Sequence, residues 1–387
     1  MTDLHILCLI HSLDGGGAER VMAGLASRLV GRGHKVTLVT MDDGQSDRHA
    51  VDEAVQRRFL DVMAVSGGPV SAIMNLRRRV LAIRTAIADA KPDVVLSFCD
   101  RTNVLAVMAT QGMLPGRHGT GNVPVVISER SDPSQQCLGT AYEWLRRQTY
   151  RRADRIIAQT QASADFLQSL LPRPREPHPA KSVDVIPSAV DIPVVYSDRS
   201  VASSSERIIS IGRLEREKGF DRLLEAMGEI AVRHPGWQLT ILGEGSQRSA
   251  LTAQARSLGI ETRLSMPGWV SPVWSPLSEA AIYVMPSRYE GFPSALMEAM
   301  AAGVPSVAVD CPSGPEAIVD SQQNGLLVTN DVAGIVGGIE QMITDPERRE
   351  SMGQAGRDVL QTFGWDRMVD QYLRILLDAV CGRGVRR

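Results

Sequence analysis

Short runs of β-branched and aliphatic residues punctuate the chain, and each is followed by a stretch in which apolar positions recur every three to four residues. In order these are "HILCLI" with a helix over 18–31, "KVTLVT" with 71–90, "DVVLSF" with 102–112, "PVVISE" with 140–152, "RIIAQT" with 161–170, and "VDVIPS". Runs that are apolar throughout belong to strands buried on both faces, and strands separated by helices pair in parallel. The pattern predicts an α/β, doubly wound, Rossmann-like domain over 1–190. The stretch "VDIPVVYSDRSVASSSE" (190–206) carries Pro, Ser and charge without a period, so 191–206 reads as a linker. The alternation then resumes with "RIISIG" and a helix over 219–234, "WQLTILG" and 246–258, "RLSMPG" and 275–281, "IYVMPS" and 294–302, and "PSVAVD" and 315–319. "GLLV" and a long helical tail follow. This predicts a second Rossmann-like domain over 207–365 and a last helix within 366–387. Ligands of such folds collect at the carboxyl ends of the strands, and two facing domains are expected to bind theirs in the cleft between them.

Composition narrows the class. A hydrophobic share of 43% and a charged share of 22% in 387 residues fit a soluble two-domain protein. "LHILCLI" is too short to span a bilayer and follows Asp3 without a basic flank, so it reads as a first strand and not a secretory signal. Cys8, Cys99, Cys137, Cys311 and Cys381 form no C-x-x-C pair, which suits reduced thiols in the cytoplasm and implies no metal site. The net charge of −2 divides unevenly, with 24 Lys+Arg against 21 Asp+Glu in residues 1–200 and 18 against 23 in 201–387. Positive charge is clustered in "NLRRRVLAIR" (75–84) and "WLRRQTYRRADR" (144–155). In the first, Ile73, Leu76, Val80, Ile83 and Ile87 are expected to form the buried stripe, leaving Arg77, Arg78, Arg79 and Arg84 on the surface. That surface is either a solvated helix face or a dock for the anionic inner face of the plasma membrane, where each basic residue contributes about 1 kcal/mol. Nucleic acid is disfavoured by the near-neutral total and by aromatics at 4%.

Two glycine loops invite a dinucleotide reading and fail it. "HSLDGGGAER" (11–20) has Arg20, and "LGEGSQR" (242–248) has Arg248, where G-x-G-x-x-G needs its last glycine. A dehydrogenase is thereby weakened, and no P-loop motif is present. Gly15, Gly16 and Gly17 either line the cleft or simply make a tight strand-to-helix turn.

"RYEGFPSALMEAMAAGVP" (288–305) carries more chemistry. A helix over 294–302, entered through Gly291, Phe292 and Pro293 and stopped by Gly303 and Pro305, presents the unpaired N–H groups of Ser294, Ala295 and Leu296. Ser294 is the expected cap. Such a mouth attracts phosphate oxygens. Glu298, one turn inside, suits the vicinal hydroxyls of a ribose, and Glu290, in the loop before, suits hydroxyls of a sugar beyond the diphosphate. Arg213 and Lys218, in "IGRLEREKGF" (211–220), are placed to neutralise the charge that grows on a departing diphosphate. Together these residues read as a clamp for a nucleotide sugar.

On these motifs, from "GGGAER" through "GRLEREKG", "LGEG", the 288–305 stretch and "GPEAIVD" to "NGLLV", the chain resembles the family 4 retaining glycosyltransferases, whose fold is GT-B. The resemblance implies transfer of a sugar from a nucleotide donor, preferably UDP-linked, with retention and without a metal or other cofactor. Arg213 and Lys218 match the family's diphosphate pair, and Glu290 and Glu298 its E-x7-E pattern. Gly243 and residues 291–296 join the donor side, and the last helix, about 366–381, crosses back to the N-domain. "ISERSDP" (127–133) and "DCPSGPEAI" (310–318) resemble exopolysaccharide and lipid-linked-oligosaccharide transferases, of the amylovoran type and of the type that adds N-acetylgalactosamine to undecaprenyl-diphosphate glycans. The implied partner is a glycan or undecaprenyl-diphosphate-linked acceptor. Two positions depart from the family. The histidine that many members carry in the "SERSDP" stretch is absent, leaving Glu129, Arg130 or Asp132 to fill the acceptor side, and Ser188 replaces the asparagine of "VIPN".

No carboxylate is evident beneath an anomeric carbon, so front-face substitution is the expected mechanism, with Arg213, Lys218 and Glu290 at the reacting centre. Two rivals are a nucleotide-sugar 2-epimerase of the same architecture and a binding protein with a degenerate cleft. The intact acids and cations favour transfer over both.

Overall fold

The central strands are apolar on both faces, and each is covered by the helix that returns the chain to the next parallel strand. The computed structural model describes residues 3–64, 67–110, 123–136, 139–171, 182–193, 196 and 205–384. The chain divides into two compact units, Met1–Pro187 with Asp366–Arg387, and Ser188–Trp365.

The first unit contains β1 (His5–Ile10), β2 (Lys35–Thr40), β3 (Gln56–Phe59), β4 (Val94–Phe98), β5 (Val125–Ser128), β6 (Arg155–Ala158) and β7 (Val183–Val185). They form one parallel sheet in the order β3-β2-β1-β4-β5-β6-β7. The second unit contains β8 (Arg207–Ile211), β9 (Gln238–Leu242), β10 (Leu264–Gly268), β11 (Ile282–Met285), β12 (Ser306–Val309) and β13 (Leu326–Val328). Their order is β10-β9-β8-β11-β12-β13, also parallel. Both sheets reverse winding direction once, between β1 and β4 and between β8 and β11. Loops on the two sides of such a switch point diverge, opening a crevice at the carboxyl ends of the strands.

Helix Trp365–Gly384 belongs to the first unit. Its Tyr372 is fully buried, sits with its ring centroid 5.9 Å from that of Phe98, and places its hydroxyl 3.1 Å from Ser128 Oγ. Arg32 donates to Asp366 and Asp370 at 2.7 Å each, holding the start of that helix. The second unit begins at Ser188 because Val190 is 2% exposed in that unit's core and its N–H donates to Phe363 O at 2.9 Å. Of the linker expected at 191–206, residues 194, 195 and 197–204 lie outside the described residues, as do 111–112 of the helix expected over 102–112, and Cys137.

Four expectations are corrected. Residues 315–319 form a 3-10 turn, Pro315–Ala317, and not an α-helix. The strand β3, "QRRF", was not expected; it is a partly exposed edge strand whose polar residues carry no apolar run. In helix Pro69–Ala90 the buried face consists of Val80, Ile83, Arg84, Ala86 and Ile87, while Ile73 is 61% exposed because the first turns reach past the core. Arg84 is therefore not on the surface: it is buried and its Nε–H donates to Ala109 O at 3.4 Å. The fourth, the cap of helix Ser294–Ala301, belongs to the site.

Candidate functional site

In the second unit the site grows from the switch point between β8 and β11. After β8 the chain passes Gly212 and Arg213 into the 3-10 turn Arg216–Lys218, and Gly219 then starts helix Phe220–Arg233. That helix is anchored by Phe220, Leu223, Leu224, Met227 and Ile230, all buried; burial of each such side chain stabilises by about 1.5–3 kcal/mol. Gly219 has φ +67°, and a Cβ there would lie 2.1 Å from Pro286 O, so only glycine lets this turn press against the chain leaving β11.

That approach joins two residues 72 positions apart. Lys218 Nζ donates to both carboxylate oxygens of Glu290, at 2.8 and 2.9 Å, and Ser287 Oγ–H donates to Oε1 at 2.6 Å. The pair is largely enclosed, with side-chain exposures of 21% for Lys218 and 10% for Glu290. Burial pushes the nearby Cys311 thiol up to about 12, with the Glu290 charge adding to it. An ammonium has three N–H donors, so one remains after the two to Glu290. Arg213 stands apart, 68% exposed, and its guanidinium donates to Glu217 at 2.9 Å.

A second ion pair fastens the two loops. Arg288 Nη1 and Nη2 donate to the Asp221 carboxylate at 2.7 and 2.6 Å, its Nη1 also donates to Arg216 O at 2.8 Å, and its backbone N–H donates to Glu217 O at 2.7 Å. The guanidinium holds the Asp221 carboxyl below the usual carboxylate range. Arg222 Nη2 donates to Pro286 O at 2.6 Å. Neither Arg288 nor Asp221 was expected from the sequence; the available signal is their opposite charge, one on the loop after β11 and the other in the first turn of the helix that follows β8. Because the pair is partly exposed, Arg288→Ala should cost only about 1 kcal/mol of stability. Loosening the Lys218–Glu290 geometry should nevertheless lower kcat/KM by roughly ten- to a hundredfold. Exchanging the charges, Arg288→Asp with Asp221→Arg, should recover part of it. Steady-state kinetics beside thermal melts separate these effects.

Helix Ser294–Ala301 opens at Pro293, whose φ of −78° and ψ of 84° make it the N-cap. This corrects the cap expected at Ser294: that residue is already the first helical one, and no side chain caps the helix. No acidic residue occupies the first turn, Gly291, Ser294 and Ala295 are half-buried, and Phe292, Pro293 and Leu296 are buried. The Phe292 ring meets Phe363 edge-on at 5.6 Å, which fixes the loop. Glu298 lies past the amide-bearing turn and is 8% exposed. At the end of β9, Gly243 has φ +147°, and a Cβ there would lie 1.9 Å from Gly212 O, so the loop after β9 can lie against the one carrying Arg213.

In the first unit, Gly15 and Gly16 donate their N–H groups to Asp14, to Oδ1 at 2.7 Å and to O at 2.8 Å, and Arg48 donates to the same carboxylate at 2.8 Å. Gly17 begins helix Gly17–Gly31. His11 Nε2 lies 3.0 Å from Glu19 Oε1, a pair the sequence reading missed. Burial opposes protonation of His11, but Glu19, Asp100 and Asp42 outweigh it and raise its pKa. Glu129 is 1% exposed and accepts a short hydrogen bond from Tyr150 Oη–H, which itself accepts from Asn103 Nδ2 at 3.4 Å. Arg130 stacks 4.9 Å over Phe98, and Asp132 accepts from Ser134 N–H and Oγ–H at 2.9 and 2.7 Å.

Burial, reinforced by Asp100, pushes the Glu129 carboxyl up to about 7. The folded protein then binds more protons than the unfolded chain between the ordinary value of 4.5 and about 7, so this group's contribution to stability falls as pH rises through that window. Glu129→Gln, which cannot ionise, should therefore gain stability relative to the wild type on going from pH 5 to pH 8. Denaturant midpoints at the two values would show it.

Two family profiles match the chain: Glycosyltransferase Family 4 over residues 15–193 and Glycosyl transferases group 1 over residues 197–359. Among curated relatives is the N-acetylgalactosamine-N,N'-diacetylbacillosaminyl-diphospho-undecaprenol 4-alpha-N-acetylgalactosaminyltransferase of Campylobacter jejuni. It is 24% identical over 95% of this chain and 98% of the relative. The amylovoran biosynthesis glycosyltransferase AmsD of Erwinia amylovora is 24% identical over 96% and 99%. The fold matches that of Anabaena HepE, crystallised with UDP and glucose, with a TM-score of 0.77 and 18% identity over 96% of this chain and 99% of that one. The two profiles together leave little beyond the chain's ends unmatched, and two parallel doubly wound sheets are the GT-B arrangement. The chain thus belongs to the group 1 and family 4 glycosyltransferases.

Proposed function

We propose that the second unit binds a nucleoside-diphosphate sugar, with UDP as the preferred nucleotide, and that the enzyme transfers the sugar with retention and without a metal. The observation that carries this reading is the enclosed Lys218–Glu290 pair, together with the uncapped first turn of helix Ser294–Ala301. The amides of Ser294, Ala295 and Leu296 take diphosphate oxygens, the third Lys218 donor and the Arg213 guanidinium neutralise the leaving group, Glu290 takes sugar hydroxyls and Glu298 the ribose. Arg213 reaches the diphosphate by leaving an exposed ion pair worth at most about 1 kcal/mol. Lys218, held in place by Glu290, and Arg213, once it has left Glu217, supply the charge that a metal would otherwise supply. The donor's C1–O bond to the diphosphate breaks as the acceptor oxygen bonds C1 from the same face, and the acceptor's proton passes to the departing diphosphate oxygen.

The acceptor is a lipid-linked or surface glycan, as the names of the Campylobacter and Erwinia relatives suggest, and the first unit takes it with Gly15–Gly17, Glu129, Arg130 and Asp132 as its candidate groups. The enzyme then works in the cytoplasm at the anionic inner face of the membrane; among the described residues no helix is long and apolar enough to cross one. Incubation with a panel of UDP- and GDP-sugars and an undecaprenyl-diphosphate glycan, in EDTA, tests the reading. It expects a product with the donor's anomeric configuration by NMR. An inverted product, or activity abolished by EDTA and restored by a divalent metal, would refute the corresponding part.

A further inference from the structure

Helix Pro69–Ala90 leaves its first two turns outside the core. Val70, Ile73 and Met74 are 72%, 61% and 66% exposed, and their spacing puts them on one face with Arg77, which is also exposed. Arg78 and Arg79 follow, and their hydrogen bonds go to neutral carbonyls: Arg78 Nη2 to Asp61 O at 3.1 Å, Arg79 Nε to Val62 O at 3.0 Å, and Arg79 Nη2 to Ala64 O at 2.8 Å. These bonds hold beside the helix a loop that carries Met63, 46% exposed. The arrangement is therefore an apolar helix tip, clear of acidic residues in its first turn and backed by positive charge.

Isolated exposed apolar side chains are ordinary, but several on one helical face, at its tip and bordered by arginines, are not. An aqueous solvated face explains the arginines and not Ile73 and Met74. A bilayer interface explains both: apolar residues enter the boundary between headgroups and acyl chains, and Arg77 on the same face, with Arg78 at its border, meets the phosphates. We propose that the first two turns of this helix are a wedge that seats the enzyme on an anionic lipid surface, with Val70, Ile73 and Met74 inserted, Arg77 and Arg78 at the headgroups, and Arg79 holding the loop behind the wedge. This deepens the membrane contact proposed above, on which it rests, by adding an apolar component to the electrostatic one.

The test is flotation with vesicles of phosphatidylcholine alone or mixed with phosphatidylglycerol, at low and high salt, using the wild type and the double variant Ile73→Ser/Met74→Ser. Because both side chains are exposed, the double variant should keep the wild-type melting temperature and its rate of donor hydrolysis. The wild type should float with the anionic vesicles and keep part of its binding at high salt, where exposed charge is screened. The double variant should partition at least about tenfold less and lose that residue. Equal flotation of the two proteins, with all binding salt-sensitive, would overturn the wedge and leave a purely electrostatic contact. No flotation of the wild type would overturn both the wedge and the membrane contact. A wild-type dimer in light scattering that the double variant converts to monomer would assign this face to a second copy instead.

Discussion

Lys218→Ala is expected to lower turnover by about a hundred- to a thousandfold, the loss that follows removal of one donor aimed at developing charge. The structure gives a reason for placing it at the upper end. Two of the three donors of the Lys218 ammonium fix both oxygens of Glu290. Truncation removes the cation proposed for the diphosphate and releases the carboxylate proposed for the sugar, which among the described residues keeps the Ser287 hydrogen bond. The enclosed Glu290 is then an unpaired acid in a site with little water to solvate it. Lys218→Arg should not rescue, because the bulkier planar fork can grip the carboxylate but directs its remaining donors in its own plane, away from where the third ammonium N–H lies. Arg213→Ala should be milder, since Arg213 is exposed and held, among the described residues, by Glu217. Single-turnover rates at saturating donor would rank the three variants, and a Lys218→Ala enzyme with near wild-type turnover would remove the residue from the reacting centre.

The second large effect is expected in binding. Glu298→Ala should raise the donor KM by roughly ten- to a hundredfold while changing kcat less, because hydrogen bonds from ribose hydroxyls to a carboxylate contribute about 1.5–3 kcal/mol equally in ground and transition states. Its position supports this division of labour. Glu298 lies beyond the uncapped first turn, so its negative charge stays out of the proposed phosphate site, and at 8% exposure it is held in place by its surroundings. Replacement of the ribose by 2′-deoxyribose in the donor should reproduce part of the loss in the wild type and none in Glu298→Ala. Full sensitivity of the variant to the missing hydroxyl would place the ribose elsewhere.

How much of this was legible before the structure depended on distance along the chain. The two sheets were, since β1, β4, β8 and β11 are short apolar runs with helical periods between them, and that alternation has few compact solutions. Helix Ser294–Ala301 was also legible, bounded by Pro293 before it and Gly303 and Pro305 after it. Its cap was not: with Pro293 as the half-in residue, Ser294 is one position too late for its hydroxyl to reach the N2 or N3 amide. Periodicity placed Ile73 on the right face of its helix but could not say where that face runs off the core, and it counted Arg84 as polar surface although the side chain is buried with a hydrogen bond to Ala109 O. The strand β3 escaped because an edge strand with Arg57 and Arg58 in it has no apolar signature. Lys218, Glu290, Arg213 and Glu298 could be named from their motifs, yet nothing local shows that Lys218 bonds Glu290. That contact exists because β11 pairs with β8 and not with β10, the strand before it in sequence, and because Gly219 lets the two loops touch.

The central claim is that one helix mouth and one lysine–glutamate pair hold a donor's diphosphate and sugar, and a crystal of the enzyme soaked with an unreactive UDP-sugar analogue tests it most directly. The expected map shows diphosphate oxygens within hydrogen-bond reach of the Ser294–Leu296 amides and of Lys218 Nζ, with Glu290 on the sugar. Diphosphate density away from that turn, with Lys218 and Glu290 still bonded only to each other, would contradict it.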